Sequence, residues 1–433
     1  MPANFCVDWG KLNGTHVVAN LYRCRGEARY LTDADVLRRF CIDSIERSGL
    51  TIVGELFHTF TGENEKSGGV TGCVVLAESH LAIHCWPEIA GVTLDVYVCN
   101  LSQDNNARAR QLVDDFVRLF EPEDFVRHDV PRDQQFMYEH VNENYGFFLR
   151  SSKLIEASRT QFQDLEIHHT PQFGKLFRLD GCFMTSEKEE FVYHETLIHP
   201  ALAAHNAPRR VLVVGGGDGG AAEEALKHPT VEELTLVEVD ARVVDIAKQH
   251  FGEIHRGAFD NPRLRLLIGD GIEFVAETRE KFDCIVLDLP DPVGLAERLY
   301  EEAYFRACKL ALAEGGVLVL HIGSPWCRPE RVQLLYARLA ALFKLARPYT
   351  MFIPLYGNLW TMAVCSDALD VAAQTPAQID QCIAERGLAD LQYYNGATHQ
   401  ALFALPNFVR KLTVDAVPRP ARLGPGDRAT REK

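Results

Sequence analysis

No stretch of this 433-residue sequence stays apolar for the roughly 18 residues that a membrane-spanning helix needs. The opening MPANFCVDWGKLNG has no basic segment followed by an apolar run, so no secretory signal and a cytoplasmic location are expected. Positive charge is scarce. Forty-five Lys and Arg stand against 60 Asp and Glu, a net −15, which disfavours nonspecific binding to nucleic acid or anionic lipid and suits a cationic small substrate. The 12 cysteines include no CxxC and no Cys/His cluster at metal-ligand spacing, so no metal is expected. In a reducing compartment most read as small core residues. No internal repeat is found. With 47% hydrophobic and 24% charged residues, global disorder, collagen and coiled coil are excluded. At roughly 150 residues per domain the length suggests two or three domains.

Along the chain the pattern changes once. Short strands are predicted at 17–22, 51–58, 72–77, 81–86 and 93–99, with a helix between the first two. Thr32 caps that helix with Asp35 three residues on, Val36, Leu37, Phe40, Cys41 and Ile45 line one face, and Gly49 ends it. A second helix at 107–120 repeats the period through Leu112, Val113, Phe116 and Phe120. This reads as a two-layer α/β sandwich over 1–130. The polar segment 121–135, with two prolines, reads as a linker. Residues up to 205 read as short strands and turns, a small β subdomain with the linker over 131–205. Strand and helix then alternate over 206–412, with strands at 211–214, 234–238, 264–268, 284–288 and 317–321. Such alternation implies a doubly wound, Rossmann-like parallel sheet. The tail, 413–433, reads as disordered.

The segment GVTGCVVLAESHLAIHCWPE, residues 69–88, places Glu78, Ser79 and His80 at a turn between two strands. Alternation turns Leu81, Ile83 and Cys85 one way and His80, Ala82, His84 and Trp86 the other. Leu94, Val96 and Val98 likewise oppose Asp95, Tyr97 and Cys99, so His84 and Cys99 are expected on a second face that forms a pocket. A lone histidine is more often structural, and a turn serine more often bonds its own backbone. With FHTF at 57–60 and DVYVC at 95–99, however, the block resembles the bacterial pyruvoyl-dependent S-adenosylmethionine decarboxylases over about residues 14–130.

That resemblance implies self-cleavage between Glu78 and Ser79. The Ser79 hydroxyl attacks the Glu78 carbonyl, an ester forms, β-elimination follows, and hydrolysis leaves a pyruvoyl group at residue 79. The cofactor is thus the chain's own pyruvoyl group, with neither metal nor pyridoxal phosphate. Its ketone would form a Schiff base with the substrate amine and accept the electrons left by loss of CO2. By position, Thr71 and His84 assist processing, Cys99 protonates the product carbon, Phe60 and Trp86 lie near the substrate, and Glu88 contacts the ribose. Asn20 stands where a Glu is expected, and the run at 61–69 is longer than usual. Ornithine or arginine is the alternative substrate.

Downstream, VLVVGGGDGG carries Gly215, Gly217 and Gly220 at GxGxxG spacing after a strand, with Glu238 ending the next strand. Alone this is a weak signal for a dinucleotide. Asp218 in the loop would repel a pyrophosphate and suits a cationic nucleoside such as an S-adenosyl sulfonium. Together with FQDLEI, FGKLFRLDG, EEFVYHE, VEVD, GDG at 269–271, DLPDPVG, YYN and FALPNF, the half resembles spermidine synthase, an aminopropyltransferase, over most of 136–410. The resemblance implies that Gln163, His194, Asp218, Glu238, Asp270 and Gly271 hold decarboxylated S-adenosylmethionine. Tyr193, Asp288, Asp291 and Tyr356 would frame the acceptor putrescine, with Asp288 as the base that deprotonates its amine. Leu289, Pro290, Leu295 and His321 depart from the family pattern around the acceptor. The whole reads as a bifunctional fusion acting on small molecules and assembling at least as a homodimer. A non-catalytic binding half and a methyltransferase are the rival readings of the second module.

Overall fold

Buried and accessible side chains alternate along residues 14–24 and 91–99, the period of strands with one dry face. In the computed structural model, which describes residues 14–61, 67–100, 104–131, 135–292 and 294–416, these strands belong to a six-stranded antiparallel sheet. It comprises β1 (Gly14–Cys24), β2 (Ile52–Thr61), β3 (Ser67–Leu76), β4 (Ser79–Trp86), β5 (Gly91–Cys99) and β6 (Pro122–Pro131), in the order β2-β3-β4-β5-β1-β6. A short helix α1 (Arg29–Thr32), α2 (Ala34–Ser48) and α3 (Asn106–Phe120) cover one face. Leu37, Cys41 and Ile45 from α2 and Leu112, Val113, Phe116 and Phe120 from α3 pack on Val17, Leu81, Ile83, Leu94 and Val96. Each fully buried Leu, Ile, Val or Phe here contributes about 1.5–3 kcal/mol. The expected two-layer sandwich is the one observed.

Two expectations are corrected in this unit. The cap of α2 is Asp33, whose carboxylate accepts the amides of Asp35 at 2.9 Å and Val36 at 3.1 Å. Thr32 instead closes α1, its hydroxyl donating to the Ala28 carbonyl at 3.2 Å. Gly49, with φ 76°, ends α2 as expected. Residues 122–131 are not a linker but the edge strand β6, paired with β1. Its composition misleads because an edge strand faces water, and prolines are tolerated at its ends.

The second module is a separate unit; the chain divides into Met1–Gln135 and Phe136–Lys433, each with its own core. It opens with a hairpin, β7 (Gln135–His140) and β8 (Gly146–Ser151). A four-stranded antiparallel sheet follows: β9 (Lys153–Arg159), β10 (Asp164–Thr170), β11 (Gly174–Leu179) and β12 (Cys182–Ser186). Next comes α4 (Glu190–Ala204), a helix where short strands and turns are expected from the sequence. Nearly every residue of α4 is buried, so the helix shows no amphipathic period.

The remainder is a seven-stranded sheet of order β15-β14-β13-β16-β17-β19-β18. Its elements run β13 (Arg210–Gly215), α5 (Gly220–Leu226), β14 (Glu233–Glu238), α6 (Ala241–His250), α7 (Gly252–His255), β15 (Leu264–Ile268), α8 (Gly271–Glu277), β16 (Phe282–Asp288), α9 (Glu302–Ala311), β17 (Leu312–Gly323), α10 (Pro329–Leu342), β18 (Leu345–Ile353) and β19 (Asn358–Ser366). Three short helices at 376–386, 396–402 and 407–412 close the described chain, and the expected tail lies mostly outside the described residues. The five strands β13 to β17 are parallel, but β18 and β19 pair antiparallel, which the parallel reading missed. Strand order reverses between β13 and β16. That switch point opens a crevice at the carboxyl ends of the strands, where Gly215 pairs in register with Asp288.

Candidate active sites

In the first unit, the two-residue turn Ala77–Glu78 joins β3 to β4. Both of its residues are tethered to Thr51. The Ala77 amide donates to the Thr51 carbonyl at 2.9 Å, and the Thr51 amide donates to the Glu78 carboxylate at 3.1 Å. The Cys99 amide donates to the Glu78 carbonyl at 2.8 Å. Ser79 itself has φ 153°, outside the range L-residues favour. The Glu78–Ser79 peptide is therefore held under backbone strain with its carbonyl polarised.

The face opposite the helices carries most of the other expected residues. Thr71 and His84 are register partners on β3 and β4, and Thr71 Oγ1 lies 2.7 Å from His84 Nδ1. The structure does not bring this pair to Ser79. Five residues of extended strand at about 3.3 Å each separate Ser79 from His84 by roughly 16 Å. Nor, among the described residues, does the face close into the expected pocket, because Leu56 (73% exposed), Phe60 (51%) and Trp86 (50%) stand open upon it. Glu88 lies in an exposed 3-10 turn after β4. On the same face, beside Ser79, lies a cluster the sequence reading passed over: His16 Nε2 is 2.6 Å and His80 Nε2 3.4 Å from Asp95 Oδ1.

In the second unit the carboxyl ends of β13, β14 and β16 assemble a carboxylate-rich crevice. Gly217 allows Glu238 to approach the loop, since a Cβ there would lie 2.8 Å from its Oε2. Gly220 does the same for His194, whose Cε1 would sit 2.3 Å from an added Cβ. His194 Nδ1 lies 2.7 Å from Glu190 Oε2, and its Nε2 lies 3.5 Å from Asp218 and 4.0 Å from Asp288. Burial opposes charge on this ring, but the Asp218 and Glu190 carboxylates prevail and raise its pKa well above the usual histidine value. Asp218 is correspondingly lowered: burial works against its charge, but His194 and the Gly220 amide outweigh it. Asp288 behaves oppositely. Burial, helped by Asp218, pushes it up to about 6.

Glu238 accepts the Asp240 amide at 2.9 Å and is raised by burial to about 7. Gln163 donates to Asp240 at 3.1 Å, which brings the loop before β10 to the end of β14. Asp270 is exposed and caps α8 through the Ile272 amide at 2.7 Å. Gly271 is buried against Val214. Beside the crevice, Tyr193 shares its hydroxyl with Asp288, and its ring lies 6.4 Å from that of Tyr356. Tyr356 in turn stands 4.9 Å from Trp360 and donates its hydroxyl to the Met184 carbonyl at 2.9 Å. Asp291 is bound by Arg331 at 2.6 Å.

The departures from the family pattern explain one another. His321 Nε2 lies 2.7 Å from both the Leu289 carbonyl and the Tyr300 hydroxyl, and Tyr300 donates to the Pro290 carbonyl at 3.0 Å. Leu289 itself is buried. Burial lowers the pKa of His321, so the ring is neutral and fixes the loop after β16. The side chain of Leu295 lies outside the described residues.

Three segments match family descriptions: residues 15–133 the S-adenosylmethionine decarboxylases, 137–187 the spermidine synthase tetramerisation domain, and 190–375 the spermine/spermidine synthase domain. A polyamine aminopropyltransferase of Nitrosomonas europaea is 46% identical over 279 residues, 64% of this chain and 86% of the relative. The chain belongs to the polyamine aminopropyltransferase family. It is an enzyme that carries an S-adenosylmethionine decarboxylase domain ahead of its spermidine synthase domain. A second aminopropyltransferase, from Hyperthermus butylicus, is 38% identical over 64% of this chain and 92% of its own length. Among solved structures, a spermidine synthase bound to the transition-state analogue AdoDATO matches with TM-score 0.62 and 35% identity, covering 65% of this chain and 96% of that one. The Thermotoga maritima spermidine synthase gives 0.59 and 34%, covering 65% and 95%. The likeness supports the doubly wound architecture expected of this half.

Sequence reasoning missed several residues that this aminopropyltransferase places at its crevice. Glu190 stands four residues before His194 on α4, a helical spacing visible only once the segment is known to be a helix. Trp360 belongs to β19, which no expectation covered. Glu139 and Glu189 are both raised by burial to about 7, and both bear electrostatically on Tyr356, as do Asp288 and Asp291. Glu195 gives the YYN block a structural meaning, accepting the amides of Gln392, Tyr393 and Tyr394 at 2.7, 2.9 and 2.7 Å. Two groups of ligand atoms lie within 4.8 Å of one another among the described residues: His16, His80 and Asp95, and His194, Asp218 and Asp288. Partners within each group already account for their arrangement. No helix of the described chain is long and apolar enough to cross a membrane.

Proposed function

We propose that this enzyme makes its own pyruvoyl group at Ser79, decarboxylates S-adenosylmethionine with it, and passes the aminopropyl group of the product to putrescine, giving spermidine and methylthioadenosine. One observation carries the first half. The Glu78 carbonyl is polarised by the Cys99 amide at 2.8 Å, while Ser79 beside it has φ 153°. Both features lower the barrier to attack of the Ser79 hydroxyl on that carbonyl. A ketone at this position supplies a carbonyl to condense with the substrate amine and a sink for the electrons of the lost carboxylate. Cys99, which follows the register partner of Ser79 on the neighbouring strand, returns a proton to the product carbon.

Thr71 and His84 stand roughly 16 Å along the sheet from Ser79 in one chain. The open face, with Leu56, Phe60 and Trp86 upon it, is apolar enough to bind a second copy. In the proposed assembly, Thr71 and His84 of one copy reach Ser79 of another.

In the transferase half, Asp218 and Glu238 meet a nucleoside without phosphate, where the loop glycines let them approach. Tyr193, Tyr356 and Trp360 offer aromatic faces, and Asp288, Asp291, Glu139 and Glu189 offer carboxylates, the combination that holds a diamine cation. Asp288 takes the proton from the attacking amine. That amine displaces methylthioadenosine at the methylene attached to sulfonium. A denaturing mass spectrum tests the first half: wild type gives fragments 1–78 and 79–433, the second blocked by a ketone reactive toward hydrazine. The Ser79→Ala variant stays whole. An uncleaved wild type overturns the pyruvoyl reading.

A further inference from the structure

We infer that His80, oriented by Asp95, is the base that carries the Ser79 hydroxyl proton in the first step of self-cleavage; this inference rests on the pyruvoyl reading above. Neither residue is among those that the family resemblance assigned to processing. Ser79 Oγ lies 3.4 Å from His80 Nδ1, the long contact expected before a reacting group closes on its base. The far nitrogen, Nε2, points to Asp95 Oδ1 at 3.4 Å, and the same oxygen receives His16 Nε2 at 2.6 Å. The line runs serine hydroxyl, imidazole, carboxylate. It recurs on unrelated folds as one way of making a serine oxygen nucleophilic. Three strands fix it. Ser79 and His80 lie on β4, Asp95 on β5 and His16 on β1, and His80 pairs in register with Tyr97, as does His16. The His80 ring meets the Tyr97 ring edge-on at 5.8 Å, which holds its plane.

The geometry divides the labour of processing in a way the family resemblance did not. His84, the histidine that resemblance assigns to processing, is roughly 16 Å from Ser79 in the same chain. His80 is already there. As Ser79 Oγ bonds to the Glu78 carbonyl carbon, His80 Nδ1 receives the hydroxyl proton and the Cys99 amide steadies the developing oxyanion. When the C–N bond breaks, His80 returns that proton to the departing Ser79 amine, so the N-to-O shift is an isomerisation with no net proton change. Elimination then removes the Ser79 Cα proton and expels the Glu78 carboxylate. Water replaces the nitrogen of the dehydroalanine as ammonia. His84 of a neighbouring copy serves the elimination.

The test uses the full-length chain, following fragments 1–78 and 79–433 over time by denaturing electrophoresis, with and without hydroxylamine at neutral pH, where it cleaves an ester and leaves peptide bonds intact. The expected result is that His80→Ala and His80→Gln process at least about 100-fold slower than wild type and give no hydroxylamine-released fragment. Imidazole added to His80→Ala restores cleavage, and the rescue shows that the variant is folded. Asp95→Asn slows the shift by roughly ten-fold. His84→Ala gives the opposite pattern and accumulates a hydroxylamine-labile ester. Wild-type cleavage rates in both His80 variants would overturn the inference alone, as would a hydroxylamine-labile ester accumulating in them. A wild-type chain that stays whole and carries no ketone would remove the pyruvoyl reading and this inference together.

Discussion

Asp288 shows how one residue's surroundings set its chemistry. A carboxylate of ordinary pKa is too weak a base to strip an alkylammonium, but burial, aided by Asp218, pushes Asp288 up to about 6 while His194 stays charged beside it. Activity in the proposed role needs the ionised form, so aminopropyl transfer should fall about ten-fold for each pH unit below about 6. Release of methylthioadenosine from supplied decarboxylated S-adenosylmethionine measures it. Asp288→Asn should lose about 10²–10⁴-fold in kcat with a smaller change in KM, and should flatten that acid limb. A change confined to KM would make Asp288 a binding group only. The Asp218 and Asp288 positions were legible from GGGDGG and the strand ending at 288. Their opposite pKa shifts were not, because His194, which holds Asp218 down, arrives on a helix that the sequence pattern concealed, and the burial that raises Asp288 is a property of the assembled crevice.

At the scale of elements, the errors in reading the sequence have a common cause. The helix period is informative only where one face is wet. The buried α4 lost its period, while α2 and α3, each with one wet face, were readable almost to the residue. Polar composition at 121–135 concealed an edge strand for the converse reason, since β6 buries little of itself. The α2 cap offers a direct check. Asp33→Ala should destabilise the first unit by about 1 kcal/mol, because two helix amides lose their acceptor. Thr32→Ala should cost clearly less in the same urea titration, since its hydroxyl donates back to the Ala28 carbonyl of the preceding turn, whereas the α2 amides are accepted by Asp33. Equal effects would return the cap to Thr32.

Across the whole molecule, two cores make the two activities separable. Ser79→Ala should abolish spermidine formation from S-adenosylmethionine yet leave transfer from supplied decarboxylated S-adenosylmethionine unchanged, as measured by methylthioadenosine release. Loss of both would show that the units depend on one another. The second unit also carries a pH signature. Glu139, Glu189 and Glu238 are each raised by burial to about 7, so their contribution to stability is present in acid and lost as pH climbs from the ordinary glutamate value through 7. A diamine cation bound as proposed would stabilise the ionised forms of Glu139 and Glu189. The thermal midpoint should therefore rise more on adding putrescine at pH 8 than at pH 5.5, and an equal rise at both would remove these carboxylates from the acceptor site. The sequence alone determined the two-module plan, the turn at Ser79 and the nucleoside loop, because strand alternation, glycine spacing and short ordered blocks are local properties. Only the tertiary structure decided which groups meet. It set His80 against Ser79 and Asp95, kept His84 far along the strand, and gathered Trp360, Glu139 and Glu189 around Tyr356, since such distances depend on register and burial between strands remote in sequence.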